Sequence, residues 1–380
     1  MLLLLQQLIH CCIAIAIRPF RKKPHKPLVI LYGHQFSGNL QALYAEWSKS
    51  YKDKFDLYFL SLDPQYARQL GTTGIQVLRC NNLMDMLRLS QASAMITDHG
   101  LHMMTPLAFL TDIIFIDVWH GIPFKGFTPD DFRLQRRYDE VWVSSPLLKE
   151  IYQSKFGFRP EIVHNLGYAR TDKLFLGQLP DLQFREQASI PAGHRVVLYA
   201  PTWQQDDKGR ELFPFGESQD SFIQRLSEVC RKHQAILVIR SHLNARISTR
   251  IFDNVRYCSM KDFPDTEVLL LETDVLICDW SSIAFDYLAL DRPTIFLDVE
   301  PPFKSRFSLG KEYRFGKIVS DQNSLCETLD GALVTPECYA LEQGDIHCEV
   351  TSAVYGENTD GKSAERQLTR LTGIITRTPG

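Results

Sequence analysis

Short apolar runs alternate with stretches of helical periodicity from residue 28 onwards, and this alternation is the feature that most restricts the fold. The runs are apolar on both faces, which is typical of strands in a parallel sheet that helices cover on both sides. The rhythm stops at residues 177–193, which are rich in Pro, Gly, Gln and Asp, and then starts again. Two such blocks predict an α/β protein with two Rossmann-like domains, each built on a doubly wound sheet. The predicted strands are 28–33, 55–62, 75–80, 94–97, 113–118, 140–143, 161–165, 196–200, 236–240, 255–258, 275–278 and 294–297.

The length agrees with this division, because 380 residues at about 150 per domain make two or three domains. Within the last part of the chain, residues 362–375 have a helical pattern, whereas residues 338–357 have no clear period. The pattern predicts four segments: an N-terminal helix with a basic linker at 1–26, a first Rossmann-like domain at 27–178, a second at 179–345, and a C-terminal helix with a tail at 346–380.

Composition and charge exclude several classes of protein. A hydrophobic content of 44% with 23% charged residues is that of a packed globular chain, and a net charge of −3 provides no electrostatic footprint for nucleic acid. The nine cysteines include no Cys-x-x-Cys pair, which predicts a reduced, cytosolic chain without a zinc ribbon. The sequence has neither a P-loop nor a Gly-x-Gly-x-x-Gly motif, so ATPase and dinucleotide oxidoreductase functions lack their main support.

The N-terminus combines the most apolar stretch of the chain with its densest basic cluster. Residues 1–17 contain three polar side chains and no charge, and residues 18–26 then carry five cations and no acid. A secretory signal peptide has its positive charge before the apolar run, so export is not expected. We predict that this segment attaches the chain to the cytoplasmic face of the cell membrane, where anionic lipid attracts the basic cluster. The attachment would be either a tilted single span or a helix lying in the interface, and the alternative to attachment is an N-terminal core helix.

Polar residues are concentrated directly after four of the predicted strands. Ligands bind beyond the carboxyl ends of the strands in open parallel sheets, so polar groups at these positions predict one binding site. The four segments are 119–126, 201–203, 240–242 and 279–282.

The chemistry that these segments favour is transfer at a phosphorus or anomeric centre from a nucleotide diphosphate donor. Ser281 and Ser282 at a helix start offer hydroxyl and backbone N–H groups to an anion, or one of them is only a helix N-cap. Arg240 and His242 are suited to neutralise the charge on a diphosphate leaving group, although a histidine at a strand end is more often structural. Asp286 lies on the helix face of the serines and is suited to bind a substrate hydroxyl, the alternative being a solvated helix acid.

His120 is the candidate general base, because imidazole titrates near neutral pH and accepts a proton from a hydroxyl. The alternative is a loop histidine with a structural role. A metal site at Asp98, His99 and His102 is the less favoured interpretation, since no further ligand follows at a recognisable spacing. No metal ion is therefore predicted.

Five longer segments add a more specific signal. They are Trp-His-Gly-Ile-Pro-Phe-Lys at 119–125, Gly-Tyr-Ala-Arg-Thr-Asp-Lys-Leu at 167–174, Tyr-Ala-Pro-Thr-Trp at 199–203, Arg-Ser-His at 240–242 and the run from Thr273 to Tyr287. Together, in this order and spacing, they resemble the CDP-glycerol glycerophosphotransferase family, which builds teichoic acids and related phosphate-containing capsules. Residues 360–364 also resemble the end of that family's sequences, so the similarity extends from about residue 28 to the final helix.

The resemblance implies a GT-B fold, in which two Rossmann-like domains face a central cleft and bind the acceptor and the CDP-donor respectively. It implies transfer of glycerol phosphate from CDP-glycerol to a hydroxyl of a membrane lipid-linked saccharide or polymer, with release of CMP and without a cofactor. In that reading His120 is the base and His242 is the second catalytic residue. The implied substrate-binding residues are Gly121, Lys125, Arg170, Pro201, Thr202, Arg240, Ser241, Ser281, Ser282 and Asp286.

The chain departs from the family pattern around the donor site. Leu243 and Ala169 stand where Pro is usual, Trp280 where Tyr is usual and Gln204 where Arg is usual, and Arg306 is the candidate for a downstream Arg-Gly element. CDP-ribitol, another CDP-polyol, or a nucleotide sugar in a GT-B glycosyltransferase are therefore alternative donors. A membrane-tethered scaffold on a decayed transferase fold is the non-enzymatic alternative. The length is closer to that of the primases, which add the first unit to a lipid-linked disaccharide, than to that of the polymerases.

Overall fold

The computed structural model describes residues 2–21, 24–79, 82–177, 182–202, 213–240, 252–260, 262–301 and 307–377. The chain forms two compact units and crosses between them four times. The first unit consists of residues 1–120, 128–172 and 358–380, and the second of residues 121–127 and 173–357.

Seven parallel strands belong to the first unit: β1 (Leu28–Tyr32), β2 (Asp56–Ser61), β3 (Val77–Arg79), β4 (Ala92–Thr97), β5 (Ile114–Asp117), β6 (Glu140–Val143) and β7 (Val163–Asn165). They form one sheet in the order β3-β2-β1-β4-β5-β6-β7. The direction in which strands are added reverses after β3, so β1 and β4 flank the topological switch point. Along β1, Val29 and Leu31 belong to one core cluster and Leu28 and Ile30 to another. Burial on both faces explains the unbroken apolar run in the sequence.

Six parallel strands belong to the second unit: β8 (Arg195–Ala200), β9 (Ala235–Ile239), β10 (Val255–Tyr257), β11 (Val275–Cys278), β12 (Thr294–Leu297) and β13 (Lys317–Val319). Their order is β10-β9-β8-β11-β12-β13, so the switch point of this sheet lies between β8 and β11. The prediction of two parallel sheets is confirmed. The sequence did not predict β13, because it has three residues at the sheet edge and Ile318 in it is 47% exposed.

Helices cover the sheets. Short 3-10 helices are formed by Arg18–Phe20, His102–Met104, Gln135–Arg137, Pro160–Ile162, Ala169–Thr171 and Lys311–Tyr313. The α-helices are α1 (Leu2–Ile17), α2 (Gly38–Ser50), α3 (Pro64–Gly71), α4 (Leu83–Ser90), α5 (Leu107–Leu110), α6 (Pro146–Ser154), α7 (Asp172–Phe175), α8 (Leu182–Gln187), α9 (Gln219–Lys232), α10 (Thr266–Glu272), α11 (Ile283–Leu288), α12 (Gln322–Val334), α13 (Pro336–Tyr355) and α14 (Ser363–Arg377).

The N-terminal helix α1 packs one face against the first unit. Cys11 and Ala14 are buried in the core cluster that contains Leu28, and Gln7 Nε2 donates to the carbonyl oxygen of Leu62 (2.6 Å). This face is that of a core helix, which was one of the alternatives for residues 1–17.

The opposite face of α1 and the residues after it present apolar side chains to solvent. Leu5 is 57% exposed, Ile9 50% and Phe20 87%. Over the described part of the chain, no helix combines the length and the apolar character that crossing a bilayer requires. Membrane attachment stays a prediction.

The C-terminal helix α14 belongs to the first unit, although the chain reaches it from the second. Leu368 and Leu371 are completely buried in the same core cluster as Val29. The Asp172 carboxylate accepts from the backbone N–H groups of Ser363 (2.9 Å) and Ala364 (2.8 Å), which caps the helix. The compact units thus divide the predicted segment 346–380 at residue 357, and the predicted segment 1–26 packs as part of the first unit.

Candidate active site

The loop that follows β5 carries His120 and is held by a buried amide. Asn39, near the start of α2, is 1% exposed, and its Nδ2 donates to the carbonyl oxygens of Val118 (3.0 Å) and Trp119 (2.9 Å). Trp119 has a φ of 48°, in the left-handed region that side chains rarely adopt. The two hydrogen bonds therefore stabilise a strained backbone directly before His120.

Arg170 holds the same loop from a third segment of the chain. Its backbone N–H donates to Asn39 Oδ1 (3.0 Å), and its Nη1 donates to the carbonyl oxygen of His120 (2.6 Å). The guanidinium thus fixes the main chain at the candidate base. The implied contact of Arg170 with a donor diphosphate stays a prediction.

The imidazole of His120 is oriented through one ring nitrogen. Nδ1 lies 3.1 Å from the carbonyl oxygen of Asp98, which can only accept, so Nδ1 carries the hydrogen and Nε2 has a free lone pair. His120 as a whole residue is exposed, while the rings of His99 and Trp119 pack against its imidazole. Shielding by the surrounding protein lowers the pKa of His120, and repulsion from His99 and Arg170 lowers it further. The ring is therefore neutral near pH 7, which is the state that a general base requires.

Three further histidines adjoin His120. The ring of His99 stacks on that of His120 with centroids 4.3 Å apart, and His34 lies 5.0 Å from His99 and 4.6 Å from His102. His34 follows β1, His99 follows β4 and His120 follows β5, so the cluster lies at the switch point of the first sheet. Among the described residues, no group of three or more His, Cys, Asp or Glu side chains is arranged to hold a metal ion.

A buried acid lies beneath this loop. Asp117, the last residue of β5, has no exposed surface. Burial raises its pKa to about 8, and repulsion from the Asp98 carboxylate adds to the shift. Asp98 accepts a hydrogen bond from His99 Nδ1 (2.7 Å). Of the two acids, Asp98 is therefore the one that pairs with an imidazole N–H. Asp117 was not predicted as a site residue, because the sequence does not indicate whether a carboxyl group at the end of an apolar strand is buried.

In the second unit, Thr202 and Asp279 meet at the switch point between β8 and β11. The Thr202 backbone N–H donates to Asp279 Oδ1 (2.8 Å), its hydroxyl donates to the same oxygen, and the Trp280 N–H donates there as well (2.7 Å). Asp279 therefore joins two of the predicted polar segments, while Pro201 leads from the end of β8 into Thr202.

Ser281, Ser282 and Asp286 lie at and in α11. Ser282 is at the N-cap position but its side chain makes no capping hydrogen bond, so capping does not account for its hydroxyl. Ser281 and Ser282 are half-buried, whereas Asp286 is 2% exposed. The alternative of a solvated helix acid at Asp286 is therefore wrong.

Arg240 follows β9 and is buried, with 7% of its surface exposed. Its Nη1 donates to the carbonyl oxygen of Phe263 (2.6 Å) and its Nη2 to Thr266 Oγ1 (3.0 Å). Burial lowers the pKa of Arg240 to about 10, so the group stays charged near pH 7. These bonds give Arg240 a structural role at the start of α10, and its contact with a diphosphate stays a prediction. Ser241 and His242 lie outside the described residues.

The segment 121–127 that follows His120 is part of the second unit. Gly121 has a φ of 150°. The carbonyl oxygen of Lys125 accepts from Ser308 Oγ (2.6 Å), and its Nζ lies 5.6 Å from the ring centroid of Phe127. Phe124 packs within 5.4 Å of the Trp280 ring, which ties the segment to the residues after β11.

Comparison with known families shows to which family the chain belongs. Residues 15–372 match the model of the family described as CDP-Glycerol:Poly(glycerophosphate) glycerophosphotransferase. The chain belongs to this family. The resemblance that the five segments indicated is thereby confirmed.

The relatives of this chain have names that mention different polyols. It is 28% identical over 281 residues to the teichoic acid ribitol-phosphate polymerase TarK of Staphylococcus aureus, covering 67% of this chain and 52% of TarK. It is 26% identical over 310 residues to the teichoic acid poly(glycerol phosphate) polymerase of Bacillus spizizenii, covering 75% of this chain and 76% of that protein. The chain thus spans about half the length of TarK.

Solved structures of other proteins are similar in fold to this chain. The wall teichoic acid polymerase TagF has a TM-score of 0.76 at 18% identity, with 98% of this chain and 93% of the TagF chain covered. A UDP-N-acetylglucosamine 2-epimerase has a TM-score of 0.57 at 14% identity, with 94% of this chain and 98% of that chain covered. At these identities the similarity concerns the fold alone, an α/β fold with two parallel sheets like that of GT-B-like enzymes.

Within each unit, the structure brings together part of the residue set that the family resemblance implied. In the first unit, His120 and Arg170 are hydrogen-bonded. In the second unit the ends of β8, β9 and β11 are adjacent, because Tyr199 pairs with both Ile239 and Ile277. Thr202, Arg240 and Ser281 therefore follow neighbouring strands of one sheet.

The cation Arg314 was not predicted as a site residue from the sequence. The guanidinium carbon of Arg314 lies 4.5 Å from the ring centroid of Trp280, and its Nη1 lies 3.2 Å from Asp298 Oδ1. Arg314 is 8% exposed and lies beside the residues that follow β11. Gly316, two residues after Arg314, approaches the backbone of Thr294 too closely for a side chain. Arg306, the earlier candidate, lies outside the described residues.

Proposed function

We propose that the chain transfers a polyol phosphate from a CDP-activated donor to a hydroxyl of a lipid-linked saccharide or polymer, in the synthesis of teichoic acid-like or capsule polymers. The observation that carries the proposal is the geometry of His120 in a chain of the glycerophosphotransferase family. Its Nδ1 is occupied by the Asp98 carbonyl oxygen, so Nε2 is the available proton acceptor.

The proposed reaction is a single displacement at phosphorus. The acceptor hydroxyl gives its proton to His120 Nε2, and its oxygen forms a bond to the phosphorus that carries the polyol. The bond from that phosphorus to the CMP oxygen breaks, and CMP leaves with the electron pair. We assign the donor to residues of the second unit, where the backbone N–H groups at the start of α11 and the cations Arg240 and Arg314 favour an anion.

Glycerol and ribitol are both possible polyols of the donor. The relatives include ribitol-phosphate and glycerol-phosphate polymerases at similar identity, so similarity favours neither. Turnover of CDP-glycerol, CDP-ribitol and UDP-sugars, measured side by side with membrane extract as the acceptor source, distinguishes a CDP-polyol transferase from a glycosyltransferase.

The variant His120→Ala tests the base assignment. We expect the release of CMP from the preferred donor to fall at least about 100-fold, the range expected for loss of a general base. The melting temperature should stay close to that of the unmodified chain, because His120 is an exposed residue. His194→Ala, in a loop of the second unit, is the matched control and should retain full turnover. A fully active His120→Ala variant would exclude His120 as the base.

We further propose that the N-terminal segment attaches the chain to the cytoplasmic membrane surface, where a lipid-linked acceptor is anchored. Two observations support this proposal. The outer face of α1 exposes Leu5 and Ile9, and Phe20 after it is exposed as well. Residues 18–26 carry five cations and no acid, and because Arg18 and Arg21 pair with Asp112, the three lysines of this stretch are the charges that would attract anionic lipid.

A further inference from the structure

We propose that His34, His99 and His102 form a binding site for the phosphate group of the acceptor's terminal unit, beside the base His120. This inference rests on the proposed function. The family description names a poly(glycerophosphate) acceptor, and the inference assigns the phosphate of such an acceptor to particular side chains, which neither that description nor the relatives' names do.

The three rings form a continuous group with the base. His99 is in the middle, stacked on His120 with an interplanar angle of 10° and in edge contact with His34. His34 in turn contacts His102, with ring centroids 4.6 Å apart. His34 and His102 are exposed, and the side chain of His99 is 33% exposed. A ligand that touches these rings therefore lies next to His120.

The nitrogens of the cluster are available to a ligand. In the part of the chain that the structure describes, no hydrogen bond joins a ring nitrogen of His34 or His102 to another residue. His99 uses Nδ1 to donate to Asp98 Oδ1 (2.7 Å), which leaves Nε2 for an outside partner. A neutral imidazole offers one N–H donor and a protonated one offers two, and phosphate oxygens accept from both.

The rings of the cluster can gain protons when an anion binds. Partial shielding of the His34 ring by the surrounding protein lowers its pKa, and repulsion from His99 and His102 lowers it further. Partial shielding and His99 likewise lower the pKa of His102. Among the described residues, Asp98 acts on His34 and Arg170 acts on His120, and Asp98 is already engaged by His99. A phosphate dianion supplies the opposite charge that the rings lack, so its binding draws protons onto them.

The chemistry of the acceptor explains why this group is a phosphate. In a polyol phosphate polymer, the terminal hydroxyl and the nearest phosphate belong to the same unit and are separated by a few bonds. When that hydroxyl lies at His120 Nε2, the phosphate lies within reach of neighbouring rings. An acceptor that ends in an unphosphorylated sugar has no group for the cluster to bind.

Nuclear magnetic resonance of the full chain tests the site without turnover. Histidine ring signals are titrated with pH alone, with sn-glycerol 3-phosphate and with glycerol. We expect sn-glycerol 3-phosphate to raise the pKa of His34 and His102 by about one unit, and glycerol to leave both unchanged. His194 is the internal control. Equal titration curves in all three conditions, or an equal shift at His194, would overturn the proposal.

Kinetics of two variants supply the second readout. For an acceptor that ends in glycerol phosphate, His34→Ala and His102→Ala should each raise KM about tenfold, with kcat within about twofold of the unmodified chain. For an acceptor that ends in a sugar hydroxyl, KM should not change. Equal losses with both acceptors would contradict a phosphate site. If no CDP-polyol yields CMP, the proposed function fails, and the nuclear magnetic resonance shifts still decide whether the anion site exists.

Discussion

The buried amide of Asn39 makes three hydrogen bonds around the candidate base, to Val118, Trp119 and Arg170. Asn39→Ala removes all three and lets the strained Trp119 relax, which displaces His120. We expect kcat to fall about 10- to 100-fold, because small displacements of a base are costly, and the free energy of unfolding to fall by about 1–3 kcal/mol. Steady-state kinetics and urea denaturation measure the two effects.

Asn358 provides the matched control for this prediction. It is 7% exposed, and its Nδ2 donates to the Ser144 carbonyl oxygen (2.9 Å) and to Asn165 Oδ1 (2.6 Å) in the same unit. Asn358→Ala should cost similar stability and leave kcat within about threefold, because it does not contact the loop at His120. Equal losses of kcat in both variants would show that Asn39 acts only through stability.

The buried carboxyl of Asp117 predicts an unusual pH dependence of stability. Its pKa is about 8 in the folded state against an ordinary 3.8, so the folded chain keeps a proton that the unfolded chain releases. The stability contributed by this group is complete below pH 3.8 and is lost as the pH rises towards 8.

Asp117→Asn removes this titration with little change of shape. The variant should gain stability relative to the unmodified chain as the pH rises from 5 to 7.5, by up to about 1 kcal/mol per pH unit. Urea denaturation at the two pH values measures the change. A stability difference that is the same at both values would show that Asp117 titrates normally.

Single residues differ in how well the sequence reveals them. The positions of His120, Thr202 and Ser281 at strand ends could be predicted, because each follows an apolar run, whereas their roles stay predictions. Asn39 could not, because its partners lie 79, 80 and 131 residues away. His34 follows β1 in the same way as His120 follows β5, but its role depends on rings that only the sheet order brings beside it.

At the scale of elements, the cap on α14 is a testable contact between distant segments. Asp172→Ala removes the acceptor for two backbone N–H groups at the start of the helix, which should weaken it by about 1–2 kcal/mol. Hydrogen exchange measured by mass spectrometry should then be faster over α14. Asp321→Ala is the matched control, because the Asp321 carboxylate also accepts from two backbone N–H groups at the start of a helix, and there the faster exchange should be confined to α12.

Helices and strands could be predicted where their burial produces a regular pattern of apolar residues in the sequence. The long helix α13 was missed, because its buried residues are few for its 20 positions and its sequence has no clear apolar stripe. The strand β13 was missed because one face of a short edge strand is open to solvent. Both failures concern the periphery of the second unit, where the core imposes least on the sequence.

At the scale of the whole molecule, the proposed membrane attachment predicts binding to anionic vesicles through the outer face of α1. Replacing Leu5, Ile9 and Phe20 together by Gln should reduce co-flotation with phosphatidylglycerol vesicles at least about tenfold, because three large apolar contacts are lost. Leu341→Gln, at a position that is 86% exposed in α13, is the control and should not change flotation. Unchanged flotation of the triple variant would contradict attachment through this face.

The four crossings of the chain between its two units have a consequence for synthesis on the ribosome. The core of the first unit includes Leu368 and Leu371, which follow the whole of residues 173–357 in the chain. Until residues 173–357 have been translated, a nascent first unit therefore lacks α14, and the apolar surface that α14 covers stays open. Domains that fold in order of synthesis avoid such a delay, whereas an open apolar face favours capture by a chaperone or aggregation. Slow translation of residues 173–357 should therefore reduce the fraction of chains with a folded first unit more than the fraction with a folded second unit.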